Sequence, residues 1–379
     1  MDAVQTPIIP IVGDLIRRTP GTISLGQGVV HYGPPPQVTD AVAAALASRA
    51  IHEYGESAGY GPLVEAIAAK LRMENGIDVT RGSRIMVTAG ANMAFMHAIL
   101  AVTAPGDEVI LPVPFYFNHE MAVEMAGCRV VRVPTDDRYQ LRLHAIAAAV
   151  TDRTRAVVTI SPNNPTGAVL DEASLRAVNA LCADRGLYHI SDEPYEYFTY
   201  GAAHLSPGSF DAAGGHTISL FSLSKAYGFA GWRIGYAVYP RALEPAMLKS
   251  QDTILICPTM AAQIGALAAL KVGRAYCEPH VRNLAAVRDL VRDALAPLAP
   301  AVTVPTSDGA FYVLLKVDTT LDPMAVAERL ITEHKVAVIP GTAFGMDGCT
   351  FRVAYGALQR DTVAEGIGRL VTGLRAIFG

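Results

Sequence analysis

Residues 217–235, TISLFSLSKAYGFAGWRIG, combine a short apolar strand pattern with a loop rich in Gly and Ser. Lys225 stands in this loop among small, aromatic and hydroxyl residues, and the stretch contains no acidic residue. Burial and a nearby cation both lower the pKa of a lysine, and Arg233 is the candidate cation. The stretch therefore predicts a reactive lysine of the Schiff-base kind. The alternative is an ordinary surface lysine in a loop.

A second loop, SPNNPTG at residues 161–167, follows the strand pattern at 155–160. Taken alone it is a turn, because N-P and T-G are turn dipeptides and Asx side chains bond to their own backbone. That interpretation does not exclude a binding role. In an open α/β sheet, loops at the carboxyl ends of strands lie where ligands bind.

A third loop, ISDEPYEYF at residues 190–198, also begins at the end of a strand pattern. An acid in that position is poorly solvated unless it meets a cation such as a protonated ring nitrogen, and Asp192 is the candidate. Tyr195 offers a phenolic hydrogen-bond donor. The alternative for Asp192 is a capping residue before a helix.

A fourth loop, TAGAN at residues 88–92, joins a strand pattern to a helix pattern. Backbone N–H groups at a helix N-terminus form an anion site suited to phosphate, and Gly and Ala allow a close approach. The loop is not a Walker A motif, which ends in Gly-Lys-Ser/Thr. Together the four loops offer an amine, an acid, hydroxyl and amide donors, and a phosphate cradle. That set matches the requirements of pyridoxal 5'-phosphate.

Short runs rich in Val and Ile, without clean alternation, predict strands buried on both faces. They lie at 84–88, 107–111, 129–133, 155–160, 187–191, 217–221 and 233–238. Helix patterns at 37–49, 61–75, 92–104, 116–126 and 171–185 alternate with these strand patterns. We therefore expect an α/β fold with a large domain built on a mostly parallel seven-stranded sheet.

The C-terminal part predicts a second, smaller α/β domain. A long helical pattern covers about 242–298, and strand patterns at 310–317, 336–340 and 350–355 alternate with helix patterns at 323–335 and 358–378. Residues 1–36 are rich in Pro and Gly and predict an irregular arm. The predicted division is an arm at 1–36 that packs with the small domain, a large cofactor-binding domain at 37–275 and a small domain at 276–379.

The composition excludes several classes of protein. With 51% hydrophobic residues the chain is not disordered, and a formal net charge of −4 gives no reason to expect a nucleic-acid partner. No apolar run reaches the ~20 residues of a membrane span, and the first residues, MDAV, do not begin a secretory signal. Five scattered cysteines predict a reduced, cytoplasmic chain, and the ten histidines show no metal-ligand spacing.

The chain has only six lysines among its 31 basic residues. Lys225 is the one that lies in a Gly/Ser/aromatic loop. The other five lie in helix or strand patterns, where we expect them on solvated faces: Lys70, Lys249, Lys271, Lys316 and Lys335.

The joint order and spacing of NNPTG (163–167), SDEPY (191–195) and SLSKAYGFAGWRIG (222–235) resembles the class I/II aminotransferase family of fold-type I pyridoxal-phosphate enzymes. The resemblance extends over nearly the whole chain, from GQG (26–28) to FRV (351–353). Further segments look like the plant-type aromatic aminotransferases that accept tryptophan and related amino acids. They are LGQGVVHYGPPP (25–36), PFYFNHEMA (114–122), EPYEYFTY (193–200) and VAVIPGTAFG (336–345).

The resemblance implies a role for each matched position around the cofactor ring. Lys225 would carry the cofactor as a Schiff base and later move the proton between Cα and C4′. Asp192 would pair with the pyridinium nitrogen, and Asn164 and Tyr195 would hydrogen-bond the phenolic oxygen. Tyr116 would stack on the pyridine face, with its neighbours at 115 and 117 as rival candidates.

The resemblance also implies the groups that hold the phosphate and the substrate. The expected phosphate ligands are Gly90, Ala91, Asn92, Ser222, Ser224 and Arg233. Arg352 would grip the substrate α-carboxylate with its forked donors, close to Asn164 and to Gly28 in the arm. Tyr54 matches a tyrosine that reaches the phosphate of the neighbouring subunit, which implies a homodimer with shared active sites.

The expected activity is transfer of the amino group of an L-amino acid to a 2-oxo acid. Aromatic or methionine-like donors are favoured, with Tyr32, Tyr116 and Phe344 as candidates to line an apolar pocket. An alternative within the same fold is a carbon–sulfur β-lyase or another specialised enzyme acting on amino acids. A regulatory sensor would carry an added DNA-binding domain, which we do not expect in the irregular residues 1–36.

Overall fold

The structure is a computed structural model that describes residues 4–378 and, within that range, every side chain except that of Arg81. The first three residues of the predicted arm, and residue 379, lie outside it. The strands are β1 (Ile23–Ser24), β2 (Ser83–Thr88), β3 (Glu108–Val113), β4 (Arg129–Pro134), β5 (Thr154–Ile160), β6 (Tyr188–Asp192), β7 (Thr217–Ser222), β8 (Gly235–Pro240), β9 (Val302–Thr303), β10 (Tyr312–Val317), β11 (Val336–Ala337), β12 (Ile339–Pro340) and β13 (Cys349–Ala354). The α-helices are α1 (Ile8–Arg18), α2 (Pro36–Ala45), α3 (Gly61–Lys70), α4 (Ala91–Val102), α5 (Phe117–Met125), α6 (Leu143–Ala149), α7 (Glu172–Arg185), α8 (Leu223–Ala226), α9 (Glu244–Ile254), α10 (Met260–Val272), α11 (Cys277–Leu295), α12 (Pro323–His334) and α13 (Arg360–Phe378).

The central sheet has seven strands in the order β2-β8-β7-β6-β5-β3-β4. Strand β8 is antiparallel to both of its neighbours, and the other pairs are parallel. The predicted mostly parallel seven-stranded sheet is therefore confirmed. Because β5, β6 and β7 run in the same direction, the loops that follow them lie at one edge of the sheet.

Helices cover both faces of this sheet, which explains why its strands lack alternation. In β3, Val109 and Leu111 pack into the same apolar cluster as Phe95 of α4. The intervening Ile110 packs on the opposite face with Val178 of α7. Because both faces of the strand are buried, these consecutive residues are all apolar, and the alternation of polar and apolar residues typical of a half-buried strand is absent.

A second group of strands comes from the C-terminal part of the chain. Strands β12, β13, β10 and β9 form a four-stranded antiparallel sheet in that order, and β1 pairs in parallel with β11. Helix α13 packs against α11 and α12 beside it. A smaller α/β unit thus accompanies the large sheet, as the fold prediction states, while the limits at residues 36 and 275 stay predictions.

The prediction of an irregular arm is wrong for α1, which forms a regular helix over Ile8–Arg18. Pro7 precedes this helix and Pro10 lies in its first turn, where backbone N–H groups have no intrahelical partner. Val12 is buried and packs in one cluster with Phe344. Proline content alone therefore gave a misleading signal, because both prolines stand where a helix tolerates them.

The expectation of a solvated face is wrong for Lys70, which is only 6% exposed at the end of α3. Its Nζ lies 2.5 Å from Glu196 Oε2 and donates to Asn75 Oδ1 at 2.8 Å. Asn75 also donates to Glu196, at 2.8 Å. A buried ammonium requires such partners, and the carboxylate is distant in sequence.

The five cysteines are free thiols. No helix within residues 4–378 is long and apolar enough to cross a membrane. The cytoplasmic location inferred from the cysteines stays a prediction.

We expect Lys70→Met to lower the free energy of unfolding by about 3 kcal/mol, because the buried Glu196 carboxylate loses its cation. Urea unfolding followed by circular dichroism measures this change. Lys271→Met is the matched control, since Lys271 is an exposed helix residue, and it should cost less than about 0.5 kcal/mol. Equal stability of the two variants would contradict the role of the buried pair.

Candidate active site

Loops at the carboxyl ends of β5, β6 and β7 enclose a cavity of about 130 Å³, with the N-terminus of α4 on one side. The residues that line it are Ala91, Asn92, Tyr116, Ile160, Asn164, Asp192, Pro194, Tyr195, Ser222, Ser224, Lys225 and Arg233. The structure therefore brings together most of the side chains singled out in the sequence. Gly28, Gly90 and Arg352 adjoin them, as described below, whereas Tyr54 does not belong to this group.

Lys225 lies in α8, a single turn that follows β7 directly. Ser222 begins this turn, and its side chain accepts a hydrogen bond from the Ser224 N–H at 3.1 Å. The Lys225 ammonium donates to the Gly28 carbonyl at 2.7 Å. Burial lowers the pKa of Lys225 to about 8, with further lowering from the charges of Arg233 and Arg352. A substantial fraction of this amine is therefore uncharged at a mildly alkaline pH.

Asp192 ends β6, and its carboxylate is held on one side only. His119 Nε2 lies 3.1 Å from Asp192 Oδ2, and the imidazole stacks on Phe95 with ring centres 4.0 Å apart. Asp192 Oδ1 is buried and has no hydrogen-bond partner among the described residues. Since the carboxylate lines the cavity, this free oxygen is available to a cationic ligand group.

Arg352 lies on β13 and is 2% exposed. Its Nη1 donates to Asn164 Oδ1 at 2.9 Å and its Nη2 to the Gly26 carbonyl at 2.7 Å. Its Nε finds no partner within residues 4–378. The guanidinium also lies over the rings of Tyr312 and Phe344, at 4.9 and 5.0 Å from their centres. A buried cation with donor capacity to spare is suited to a carboxylate.

Gly90 and Arg233 shape the opposite end of the cavity. Gly90 has φ +82°, and a Cβ at this position would lie 2.5 Å from Arg233 Nη2. Only glycine leaves room for the guanidinium there. Helix α4 begins at the next residue, so its free N–H groups point towards the same end. Cation, helix N-terminus and the Ser222 hydroxyl together favour an anion.

Two tyrosines complete the walls. Tyr195 Oη lies 2.7 Å from Tyr312 Oη and accepts from Asn164 Nδ2 at 3.4 Å. Tyr116 lines the cavity, and its Oη accepts a hydrogen bond from Asn118 at 2.8 Å. Its two aromatic neighbours, Phe115 and Phe117, pack into apolar clusters instead. Of the three rival aromatic residues, Tyr116 is therefore the one placed to face a ligand.

Tyr32 and Tyr54 lie elsewhere. The Tyr32 hydroxyl donates to the backbone carbonyl of Lys225 at 3.1 Å, and its ring stacks on His280. It supports the backbone behind the lysine and is not among the residues that line the cavity. Tyr54 is 82% exposed on this chain and is not among the residues that line the cavity.

Comparison with known proteins identifies the family. The sequence profile described as "Aminotransferase class I and II" matches residues 20–370. The chain belongs to the class I and II aminotransferases. The aromatic aminotransferase ISS1 of Arabidopsis thaliana is 33% identical over 98% of this aminotransferase and 94% of the relative. A probable aspartate/prephenate aminotransferase of Aquifex aeolicus (strain VF5) is 36% identical over 94% and 91%.

A solved structure gives the same result. The aromatic aminotransferase from Pyrococcus horikoshii OT3 superposes with a TM-score of 0.88 at 33% identity, over 97% of this chain and 99% of that chain. The protein is therefore a fold-type I transaminase that acts on amino acids and 2-oxo acids. Since this family uses pyridoxal 5'-phosphate, the predicted cofactor is confirmed.

The residues present fit this cofactor. The unpartnered Asp192 oxygen matches the need of a protonated ring nitrogen for a carboxylate. Gly90 has no Cβ and so leaves space in front of Arg233. A phosphate can use this space to approach the backbone N–H groups closely. Lys225 lies among the residues that line the same cavity, as an aldehyde-bearing ligand requires.

His119 and Tyr312 are functional candidates that the sequence interpretation missed. His119 lies in the first turn of α5, three residues after Tyr116, which precedes the helix, and the two ring centres are 5.5 Å apart. That spacing was the available signal, but the acid that His119 meets is distant in sequence. Tyr312 carries no local signal, since it stands in an ordinary apolar strand.

In the cofactor-free protein we expect the Lys225 amine to titrate near pH 8. Replacing Arg233 with Met removes a positive charge and so raises this pKa towards the ordinary value of 10.5. The pH dependence of acetylation by acetic anhydride, followed for each lysine by mass spectrometry, measures both. The exposed Lys249 is the internal control, and the same titration midpoint for both lysines would contradict the geometry.

Proposed function

We propose that this aminotransferase transfers the amino group of an aromatic or methionine-like L-amino acid to a 2-oxo acid, with Lys225 as the lysine that binds the cofactor. The observation that carries the proposal is the shared cavity. Lys225, whose pKa is lowered, lines this cavity together with Asn164. The buried guanidinium of Arg352 adjoins the cavity by its bond to Asn164 and keeps an unused donor. An amino acid presents one carboxylate, which suits the guanidinium of Arg352, and one reacting carbon, which suits the amine of Lys225.

Bound pyridoxal phosphate supplies an electron sink that acidifies the Cα–H bond of an attached amino acid. The protein supplies position and charge. Arg352 holds the α-carboxylate, which fixes the orientation of Cα. Lys225 Nζ, uncharged in part near pH 8, accepts the Cα proton and returns it. Asp192, held by His119, keeps a positive charge on the ring nitrogen.

The remaining residues around the cofactor hold it in place. Asn164, Tyr195 and Tyr116 line the cavity: the first two would hydrogen-bond the phenolic oxygen of the cofactor, and Tyr116 would lie against its ring. The proposed phosphate ligands are Gly90, Ala91, Asn92, Ser222, Ser224 and Arg233. Gly28, whose carbonyl accepts from Lys225, marks where the arm passes the substrate.

The surroundings of Arg352 support an apolar substrate side chain. Phe344 and Val12 of α1 belong to one apolar cluster, and Tyr116 packs against it. Within the described part of the chain, the cations that line the cavity are Lys225 and Arg233, and both have other tasks. A distal carboxylate would therefore be desolvated without a partner. The aromatic aminotransferase among the relatives agrees with this preference.

A homodimer completes the proposed site, because Tyr54 is exposed and its partner role requires another subunit. An open, largely apolar recess of about 600 Å³ begins beside the phosphate end, with Trp232, Arg233 and Leu255 in its wall. Leu255 and the neighbouring Ile254 are 37% and 47% exposed. Apolar surface next to an active site is typical of a subunit interface.

We expect phenylalanine, tryptophan and methionine to exceed aspartate as amino donors by a factor of about 10 to 100 in kcat/KM, because an unpaired distal carboxylate costs ~1–3 kcal/mol. A panel of donors against pyruvate, 2-oxoglutarate and phenylpyruvate measures this. A strong preference for aspartate would overturn the aromatic proposal. Without an acceptor, a transaminase releases one equivalent of 2-oxo acid and stops, whereas a β-lyase continues to release pyruvate.

We expect Lys225→Ala to abolish turnover and Tyr54→Ala to weaken it. Dimers that combine the two variants should regain one of two sites, or about half of the wild-type rate per mixed dimer, because the intact lysine and tyrosine then meet across the interface. Assays of mixed dimers separated by affinity tags measure the recovery. Combining Lys225→Ala with Asp192→Asn is the control and should recover nothing, since both residues belong to one subunit's cavity. The absence of recovery in the first mixture would contradict the shared site.

A further inference from the structure

Tyr312 lies where three separate segments meet, although it is not among the residues that line the cavity. It stands on β10, is fully buried, and pairs with Ala354 of β13. Because side chains two residues apart on a strand share a face, Tyr312 and Arg352 lie on the same side of the sheet. A Cβ on Gly28 would lie 2.7 Å from Tyr312 Oη, so the arm packs directly on this hydroxyl.

The contact between the Tyr312 and Tyr195 hydroxyls allows either of them to donate, and the proposed role of Tyr195 decides between the two. Within residues 4–378, the only acceptor recorded for Tyr312 Oη is Tyr195 Oη, at 2.7 Å. The nearby Arg352 guanidinium is a donor and offers no lone pair. In the proposed function Tyr195 gives its only proton to the phenolic oxygen of the cofactor, so Tyr312 donates across this contact and Tyr195 accepts.

A second donor reaches Tyr195 for an independent reason. Arg352 Nη1 donates to the Asn164 side chain, and only the carbonyl oxygen of that amide can accept. The amide nitrogen of Asn164 therefore faces Tyr195, 3.4 Å from its Oη. With both lone pairs of Tyr195 Oη directed towards donors, its own proton points to the remaining open side, which is the cavity.

We propose that Tyr312 is a positioning residue: by donating to Tyr195, it directs the Tyr195 proton into the cavity, onto the phenolic oxygen of the bound cofactor. The inference rests on the proposed function, in which Tyr195 bonds that oxygen. A hydroxyl that accepts a hydrogen bond is a stronger donor in turn. Tyr312 thus strengthens a contact that it does not make itself.

Both hydroxyls stay protonated at the pH values of interest. Burial raises the pKa of Tyr312 to about 12, and burial together with the neighbouring Tyr312 raises the pKa of Tyr195 well above its ordinary value. The titratable and charged groups that face this pair are Tyr116, Asp192, Lys225 and Arg352. All of them remain when either tyrosine is replaced with Phe, so a change in titration reports on the hydroxyl removed.

The test is the pH midpoint at which the visible absorbance of the bound cofactor changes. A hydrogen bond to the phenolic oxygen withdraws charge from the nitrogen that joins the cofactor to Lys225, which lowers the basicity of that nitrogen. Tyr312→Phe weakens the bond and should raise the midpoint by roughly 0.2–0.6 pH unit. Tyr195→Phe removes the bond and should raise it more.

Adding Tyr312→Phe to Tyr195→Phe should cause no further shift, because the path runs through Tyr195. Tyr239→Phe, which removes another buried hydroxyl in β8 away from the cavity, should leave the midpoint unchanged. An unshifted midpoint in Tyr312→Phe, or an equal shift in both backgrounds, would overturn the inference. An unshifted midpoint in Tyr195→Phe would instead overturn the contact assumed in the proposed function.

A second variant retains the hydroxyl and the packing in case Tyr312→Phe fails to fold. Genetically encoded 3-fluorotyrosine at position 312 is a more acidic phenol and a stronger donor. It should lower the midpoint, opposite to the effect of Tyr312→Phe. A midpoint that is unchanged or raised would contradict the donor role of Tyr312.

Discussion

The guanidinium of Arg352 joins three parts of the chain that are far apart in sequence. It bonds the Asn164 side chain after β5 and the Gly26 carbonyl in the arm, and it extends from β13 of the second sheet. Within residues 4–378 no carboxylate lies within 4.0 Å of it, so its charge is buried without neutralisation. The desolvation of this cation is offset only in part by carbonyl acceptors. A carboxylate bound at the unpartnered Nε would complete the compensation, so this part of the site is suited to an anion.

The same imbalance sets the state of the lysine. Lys225 lies between two arginines, and Asp192 opposes them only in part. Burial and these cations hold its pKa near 8, whereas a lysine paired with a carboxylate would stay charged. Anionic ligand groups bound near Arg233 and Arg352, as proposed, would neutralise the two arginines and leave the amine of Lys225 between them. The cavity thus suits a ligand pair with a phosphate at one end and a carboxylate at the other.

The sequence predicted the sheet and the four loops because both depend on local patterns. Buried parallel strands are continuous apolar runs, and each motif stands directly after such a run. Pairs distant along the chain were missed. The burial of Lys70 depends on Glu196, and the role of His119 depends on Asp192. Neither partner can be found from spacing along the chain. Helix α1 was missed for another reason: its prolines suggested irregular structure, although they stand at the start of the helix, where proline is tolerated.

The direction of a hydroxyl proton is harder still to predict from the sequence, because it depends on which hydrogen-bond acceptors the fold brings within reach. Arg352 can only donate, so it turns the amide of Asn164 and leaves the nitrogen facing Tyr195. When Tyr195 donates to the cofactor, as proposed, Tyr312 gives its proton to the Tyr195 oxygen. One donor-only cation and one isolated hydroxyl therefore decide where a third proton points. The group proposed to bind the substrate carboxylate thus also helps to orient the proposed donor at the cofactor ring, and hydrogen bonds join the two parts of the site.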